Sequence, residues 1–306
     1  MSTHLKPYFP MLWERSELLL EIRKCKDLST LFDKWSIDHQ EQFLNFCTGV
    51  RGIKFLYDGF FKELMNPEYT PEGLNEFLSL LITDIVVELD NGSLANVEVQ
   101  KIGYSFPGQR SACYSADLLL RQYKRIRGDR GKHFSYKDIK NVYTIILFEQ
   151  STANFHSFPD TYLHYFEQKS DTGLELELLQ KFLLIPLDIF HKKQQNKTIS
   201  NKLDAWLLFF SSDDPNDIIQ LITEYPEFQA MYEQAYQMCR NVEKIMSIFS
   251  EELRILDRNT VQLMIDEMQD TINSQKNIID SQKDTIDSQK FEISELKRLI
   301  EALKEE

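Results

Sequence analysis

Apolar residues along the chain recur with two different periods, and the switch between them marks the elements. Helical spacing runs over Trp13–Lys24 and again over Phe32–Phe46. Thr70 and Pro71 read as cap and first residue of a helix over Glu72–Leu80, with Leu74, Phe77 and Leu78 on one face. The period then shortens to two. Ile82–Leu89 and Leu94–Lys101, separated by Asp90-Asn91-Gly92, predict a β-hairpin. A helix is expected from Pro107 to about Arg127, ended by Gly128-Asp129-Arg130-Gly131, and Asn141–Phe148 reads as a buried central strand. Helices are expected over Leu174–Leu184, Lys202–Phe210, Pro215–Glu224 and Tyr225–Leu256. At the C-terminus Ile265, Ile272, Ile279, Ile286, Ile293 and Ile300 repeat every seven residues. Met268, Gln275, Gln282, Gln289, Leu296 and Leu303 follow three positions on, the a and d positions of a coiled coil whose middle heptads carry Gln at d. The divisions expected are an N-terminal helical segment (1–56), an α/β core (57–190), a helical region (191–260) and a coiled coil (261–306).

The hairpin carries the candidate chemistry. A three-residue loop at Asp90-Asn91-Gly92 pairs Leu89 with Ser93, and so Val86 with Asn96 and Asp84 with Glu98. Ile85, Val87, Leu89, Ala95, Val97 and Val99 then form an apolar face, and Asp84, Val86, Glu88, Leu94, Asn96, Glu98 and Gln100 a mostly polar one. A slip of one residue would mix the two faces, so the pattern supports this register. Carboxylates of Asp84 and Glu98 roughly 5 Å apart repel unless a cation lies between them. A hard divalent ion such as Mg²⁺ accepts such oxygens together with water and phosphate. A solvated polar hairpin face reads from the same residues.

Composition and charge narrow the function classes. The chain has 306 residues, 42% apolar and 27% charged, which excludes a wholly disordered protein. Cys25, Cys47, Cys113 and Cys239 form no CxxC pair, so neither a zinc knuckle nor a disulfide framework is indicated, and reduced thiols in a cytoplasm are expected. No signal-peptide core or membrane-length apolar run is present. The net charge is −13, yet residues 101–140 hold ten basic and three acidic side chains, a local +7 against −20 elsewhere. Such a stretch suits a polyanion partner, or simply a solvated helix face. His156 and His164 fit no metal-ligand spacing, and Phe55, Tyr57, Phe60 and Phe61 read as core.

Asp84 followed fourteen residues later by Glu98-Val99-Gln100 resembles the D…ExQ form of the PD-(D/E)XK nuclease signature. With YDGFFKELMNPE (57–68), the whole stretch from Thr83 to Tyr123, VYTIILFE (142–149) and FPDTYLHYF (158–166), the chain resembles the bacterial recombination-promoting nuclease / PD-(D/E)XK nuclease family transposase group over most of residues 45–260. The resemblance implies an α/β, restriction-endonuclease-like core and Mg²⁺- (or Mn²⁺-) dependent DNA cleavage. It implies Asp84 and Glu98 as metal ligands, the Val99 carbonyl as a third, and Gln100 in the place of the usual catalytic lysine. Arg110 and Arg121, with Lys124 and Arg125, become candidates for DNA phosphate contact, and Asp58 an auxiliary acid. Lys101 falls on the opposite face of the strand. One departure is expected: the helix ending near Leu80 runs almost directly into Ile82, where such cores normally place another strand. Two functions follow as alternatives, an Mg²⁺-dependent endonuclease that self-associates through residues 265–306, or a catalytically weak DNA-binding or coiled-coil interaction protein.

Overall fold

The computed structural model describes residues 4–57, 59–61, 65, 71–81, 94–102, 107–194 and 198–304. Three short helices open it, α1 (Arg15–Lys24), α2 (Lys26–Lys34) and α3 (Ile37–Thr48). The helix expected over Phe32–Phe46 is in fact two. Trp35 and Ser36 are extended, and the Ser36 hydroxyl accepts the His39 N–H at the start of α3. A serine cap outcompetes continuation because it satisfies an amide that would otherwise be orphaned. α3 ends on Gly49 at φ 76°, the left-handed conformation that glycine adopts without penalty.

Then come α4 (Pro71–Leu81), strand β1 (Leu94–Ile102), the long α5 (Pro107–Arg130) and strand β2 (Val142–Gln150). α5 runs through Gly128 and stops at Gly131, three residues later than expected. Beyond β2 lie α6 (Ala153–His156), β3 (His164–Phe166) and β4 (Gln180–Pro186). The helix expected over Leu174–Leu184 does not form; its second half is β4. Leu174, Leu176 and Leu178 alternate with Glu175 and Glu177, a period of two that suits extended chain better than a helical stripe. Five helices follow: α7 (Leu187–Gln194), α8 (Lys202–Ser211), α9 (Pro215–Glu224), α10 (Glu227–Met238) and α11 (Val242–Lys304). The expected helix over Tyr225–Leu256 is divided between α10 and α11, where the Asn241 side chain accepts the Lys244 N–H at 3.0 Å.

The described strands form one sheet in the order β1-β2-β4-β3. β1–β2 and β2–β4 are parallel, and β3 is antiparallel to β4. α5 is the crossover between β1 and β2, the connection that parallel neighbours require. One face of the sheet, with Val97, Tyr143, Ile145, Leu147, Leu183 and Ile185, joins a large core shared with the N-terminal helices and with α8–α11. Ile146, Phe148 and Leu184 point to the other face and pack with Phe155 and Ile189. The large core is dense in aromatics. Phe55 stacks on Phe209 at 4.2 Å between ring centres, and Trp206, Phe228 and Tyr232 surround Phe209. Gly52 has no room for a side chain there: a Cβ would lie 2.2 Å from the Ile218 Cδ1, while its N–H donates to the Asp213 carbonyl at 2.7 Å.

The chain divides into two compact units, residues 1–258 and 259–306. The second is the continuation of α11, in which Ile265, Ile272, Ile279, Ile286, Ile293 and Ile300 are all exposed. Among the described residues no helix is long and apolar enough to cross a membrane.

Phe209 is completely buried among five aromatic partners. Phe209→Ala is expected to remove about 3–5 kcal/mol of stability, measured as a lowered midpoint in urea unfolding; a loss below about 1 kcal/mol would place the ring outside the core.

Candidate nuclease site on the first strand

Alternation along β1 decides which side chains reach the site. Ala95, Val97 and Val99 pack against the large core, so Leu94, Asn96, Glu98 and Gln100 share the opposite face. This is the face assignment expected for the second half of the hairpin. The first half, Ile82–Leu89 with Asp84, and its turn lie outside the described residues, as does Asp58. Val99 directs its side chain into the core, so only its backbone carbonyl could serve as a ligand.

Glu98 is half-buried, and its Oε1 accepts a hydrogen bond from the Asn96 Nδ2 at 3.0 Å. Asn96 lies two residues earlier on the same face, and sequence reasoning gave it no role. Its amide fixes one carboxylate oxygen and leaves the other for a ligand. Gln100 is only 4% exposed, and among the described residues neither its amide oxygen nor its amide nitrogen has a hydrogen-bond partner. Its cross-strand neighbour is Phe148, and that of Glu98 is Ile146. A buried amide with both ends unsatisfied, set among apolar neighbours, costs about 1–3 kcal/mol for each group left unpaired. Such groups in native proteins point to a catalytic role or to a bound water or ion.

α5 supplies the positive charge nearby. Its inner side is small and polar: Ser111 and Ser115 are buried, the Ser115 hydroxyl accepts from the Gln180 amide at 3.0 Å, and the Gln122 oxygen accepts the Lys140 N–H at 2.7 Å. Its outer side carries Arg121, Lys124 and Arg125, all exposed, with Arg121 paired to Asp117 at 2.7 Å. Arg110, one turn from the helix start, is half-buried with its guanidinium 5.4 Å from the Tyr114 ring centre. The four candidate phosphate contacts therefore separate, with Arg110 near the start of the helix and the other three on its solvent side.

Sequence reasoning also missed two polar groupings beyond the strand ends. Lys54 pairs with Glu149 at 2.9 Å near the end of β2. Burial pushes the Lys54 ammonium down, but Glu149 and Asp213 together outweigh it and the net shift is upward. After β2 and β4, Asp188 accepts from the Ser151 hydroxyl at 3.1 Å and lies 2.8 Å from the His156 Nε2. The contact to Asp188 accounts for His156 without a metal.

Among the described residues no three His, Cys, Asp or Glu side chains gather as a metal-binding group. The donors that β1 offers, a carboxylate oxygen, a main-chain carbonyl and an orphaned amide, are hard oxygen donors of the kind that Mg²⁺ or Mn²⁺ accepts.

Residues 62–263 match the family model for PD-(D/E)XK nuclease family transposases. The chain belongs to that family. The matched region includes β1, α5 and the whole sheet, so the D…ExQ residues fall inside it. Membership carries nuclease- or transposase-type activity on DNA, and PD-(D/E)XK nucleases generally use divalent metals. No curated protein and no solved structure matches the chain significantly.

Because the Gln100 amide is unsatisfied, Gln100→Leu is expected to leave the unfolding free energy unchanged or to raise it by about 1 kcal/mol. Denaturant titration measures this. A fall of more than about 2 kcal/mol would show that the amide is hydrogen-bonded in the folded protein.

Proposed function

We propose that the protein is an Mg²⁺-dependent DNA endonuclease of the recombination-promoting nuclease/transposase type, hydrolysing phosphodiester bonds at Asp84, Glu98 and Gln100. The observation that carries this reading is the Glu98–Gln100 face of β1, where an oriented carboxylate adjoins a buried amide with no partner among the described residues. Asp84, Glu98 and the Val99 carbonyl would hold the metal. Bound there, Mg²⁺ or Mn²⁺ would make water nucleophilic at neutral pH and offset charge on the phosphate. Asn96 holds Glu98 in one orientation. Gln100 orients a water through its amide but brings no positive charge. Arg110, Arg121, Lys124 and Arg125 hold the DNA backbone, a contact that weakens with salt, and Asp58 is an auxiliary acid.

In a plasmid-nicking assay with Mg²⁺, Glu98→Ala is expected to lower the rate at least ~100-fold, the scale seen when a group stabilising transition-state charge is removed. Chelation should abolish nicking in the wild type. Metal-dependent nicking that persists in both Glu98→Ala and Asp84→Ala would reject the site. DNA binding without any nicking by the wild type would favour the alternative, a catalytically weak DNA-binding or coiled-coil interaction protein. The long exposed tail speaks for that second reading.

We propose further that residues 265–306 join copies of the chain through a seam of Ile at a, with Met, Gln or Leu at d. The e positions carry Lys276, Lys283, Lys290, Lys297 and Lys304, and the g positions Thr271, Ile278, Thr285, Glu292, Leu299 and Glu306. An antiparallel pair would set e against e, lysine against lysine. A parallel pair sets each lysine against the g residue five positions earlier on the partner, with Lys297 opposite Glu292 and no lysine opposite lysine, so the parallel arrangement is favoured. Gln275→Cys in a Cys25→Ser/Cys113→Ser background should then form an interchain disulfide on mild oxidation, read on a non-reducing gel. Absence of that crosslink, with a monomer in light scattering, would reject self-association through the tail.

A further inference from the structure

The Glu98 face of the sheet continues past β2 into a cavity. Glu98 pairs with Ile146, Ile146 with Leu184, and Leu184 with His164, so one cross-strand row runs over all four strands. At about 4.8 Å per strand, Leu184 and His164 lie roughly 10 and 14 Å from Glu98 along the sheet. These two residues, with Phe182 and Phe166, form the floor of a cavity of about 530 Å³. Phe155 and Phe158 form one wall, and Gly108, Ser111 and Ala112 from the first turns of α5 form the other.

Three properties of this cavity define its ligand. Its aromatic lining is braced: His164 stands edge-on to Phe155 at 5.2 Å and to Phe158 at 5.8 Å, and its Nε2 lies 3.1 Å from the Thr161 carbonyl. Phe158 and Phe166 are nevertheless 58% and 49% exposed, which leaves ring surface open for a planar group. Among the described residues the lining holds no Lys, Arg, Asp or Glu, so no charged side chain there compensates a buried charge, and a phosphate or carboxylate is disfavoured inside. Neutral amides stand at the margin. Asn154 and Gln168 are exposed, and Gln180 donates its amide N–H to Ser115, which leaves its oxygen as an acceptor. Beside the cavity, Arg110 follows Gly108 in the same turn of α5, and Arg121, Lys124 and Arg125 continue along that helix.

We propose that this cavity receives one unstacked nucleobase of the DNA substrate, at a fixed number of nucleotides from the bond cut at Glu98. The inference rests on the nuclease reading. A base is planar, uncharged and edged with hydrogen-bonding groups, which matches aromatic surfaces with amides at their rim. The 10–14 Å between Glu98 and the cavity floor corresponds to roughly three or four nucleotide steps at the duplex rise of 3.4 Å per strand. The basic residues of α5 hold the backbone while the rings hold the base.

The test uses the full chain in EDTA, so that nothing is cut, with single-stranded oligonucleotides of about 15 nucleotides carrying one 2-aminopurine moved stepwise along the strand. The expected result is a change in 2-aminopurine emission confined to one position or two adjacent ones. Phe158→Ala/Phe166→Ala should abolish that change and weaken binding roughly 5- to 100-fold. Phe158→Leu/Phe166→Leu, which keeps apolar bulk but not the ring faces, should do the same while far-UV circular dichroism stays at the wild-type value. Lys124→Ala/Arg125→Ala should weaken binding equally for every probe position. Emission that is uniform along the strand, or a Leu/Leu variant indistinguishable from wild type, overturns the base pocket and leaves the nuclease reading standing. No binding of any oligonucleotide or plasmid, together with no nicking in Mg²⁺, overturns both.

Discussion

The two-residue alternation of β1, held by its parallel pairing with β2, is the constraint on which the candidate site depends. Val97 pairs with Ile145 and Val99 with Leu147, and all four enter the large core. Glu98 and Gln100 are on the other face as a direct consequence. A slip of one residue would drive Asn96 and Glu98 into a core of aliphatic and aromatic side chains, with no partner for the carboxylate. The hydrophobic energy of the Val face thus fixes the position of the acid without any contact made by the acid itself. Glu98 needs only the Asn96 amide to settle its rotamer.

α5 solves a second problem for the same strand. A parallel neighbour requires a crossover, and a crossover helix normally covers the sheet with an apolar stripe. Here the buried positions of α5 are Ser111, Ser115 and Gln122. Serines are short and self-satisfying: the Ser111 hydroxyl donates to the Pro107 carbonyl at 2.6 Å, and Ser115 takes up Gln180. This gives up some apolar burial that a Leu-rich helix would bring. It leaves the first turns of α5 as one wall of an aromatic cavity, and it leaves the outward side of the helix free for arginine and lysine.

Much of this was legible in the chain. The face assignment of β1, the buried strand Val142–Gln150 and the helices beginning at Pro71, Pro107 and Pro215 all follow from period and caps. What failed has identifiable causes. Ser36 and Asn241 cut expected helices because a side-chain cap competes locally with propagation, and a cap inside an apolar pattern is easily read as a helical polar face. Residues 174–184 suit a helix by composition, since Leu and Glu are strong helix formers, but they alternate at a strand period, and pairing of Gln180–Pro186 with β2 decides for strand there. β3 is three residues long, too short for any period to register. Asn96 gives no signal in the sequence, since its hydrogen bond to Glu98 appears only once the strand is formed. The carboxylate pair itself follows from a turn and a register, and of its two members only Glu98 lies among the described residues.

Glutamine at position 100 is best understood from its burial. A lysine there would lie beside Phe148 with about the same 4% exposure as Gln100. Desolvation favours the neutral amine in such a place and lowers its pKa by several units unless a carboxylate restores the charge. Glu98 is two residues away on the same face but already shares an oxygen with Asn96, and any metal it binds would repel an ammonium. A neutral amide avoids that conflict: it can donate to or accept from a water in every protonation state of its neighbours, at the lower desolvation penalty of an uncharged group. Arg121, Lys124 and Arg125 on the solvent side of α5 remain hydrated, and under the proposed function they, not position 100, supply the charge that meets phosphate.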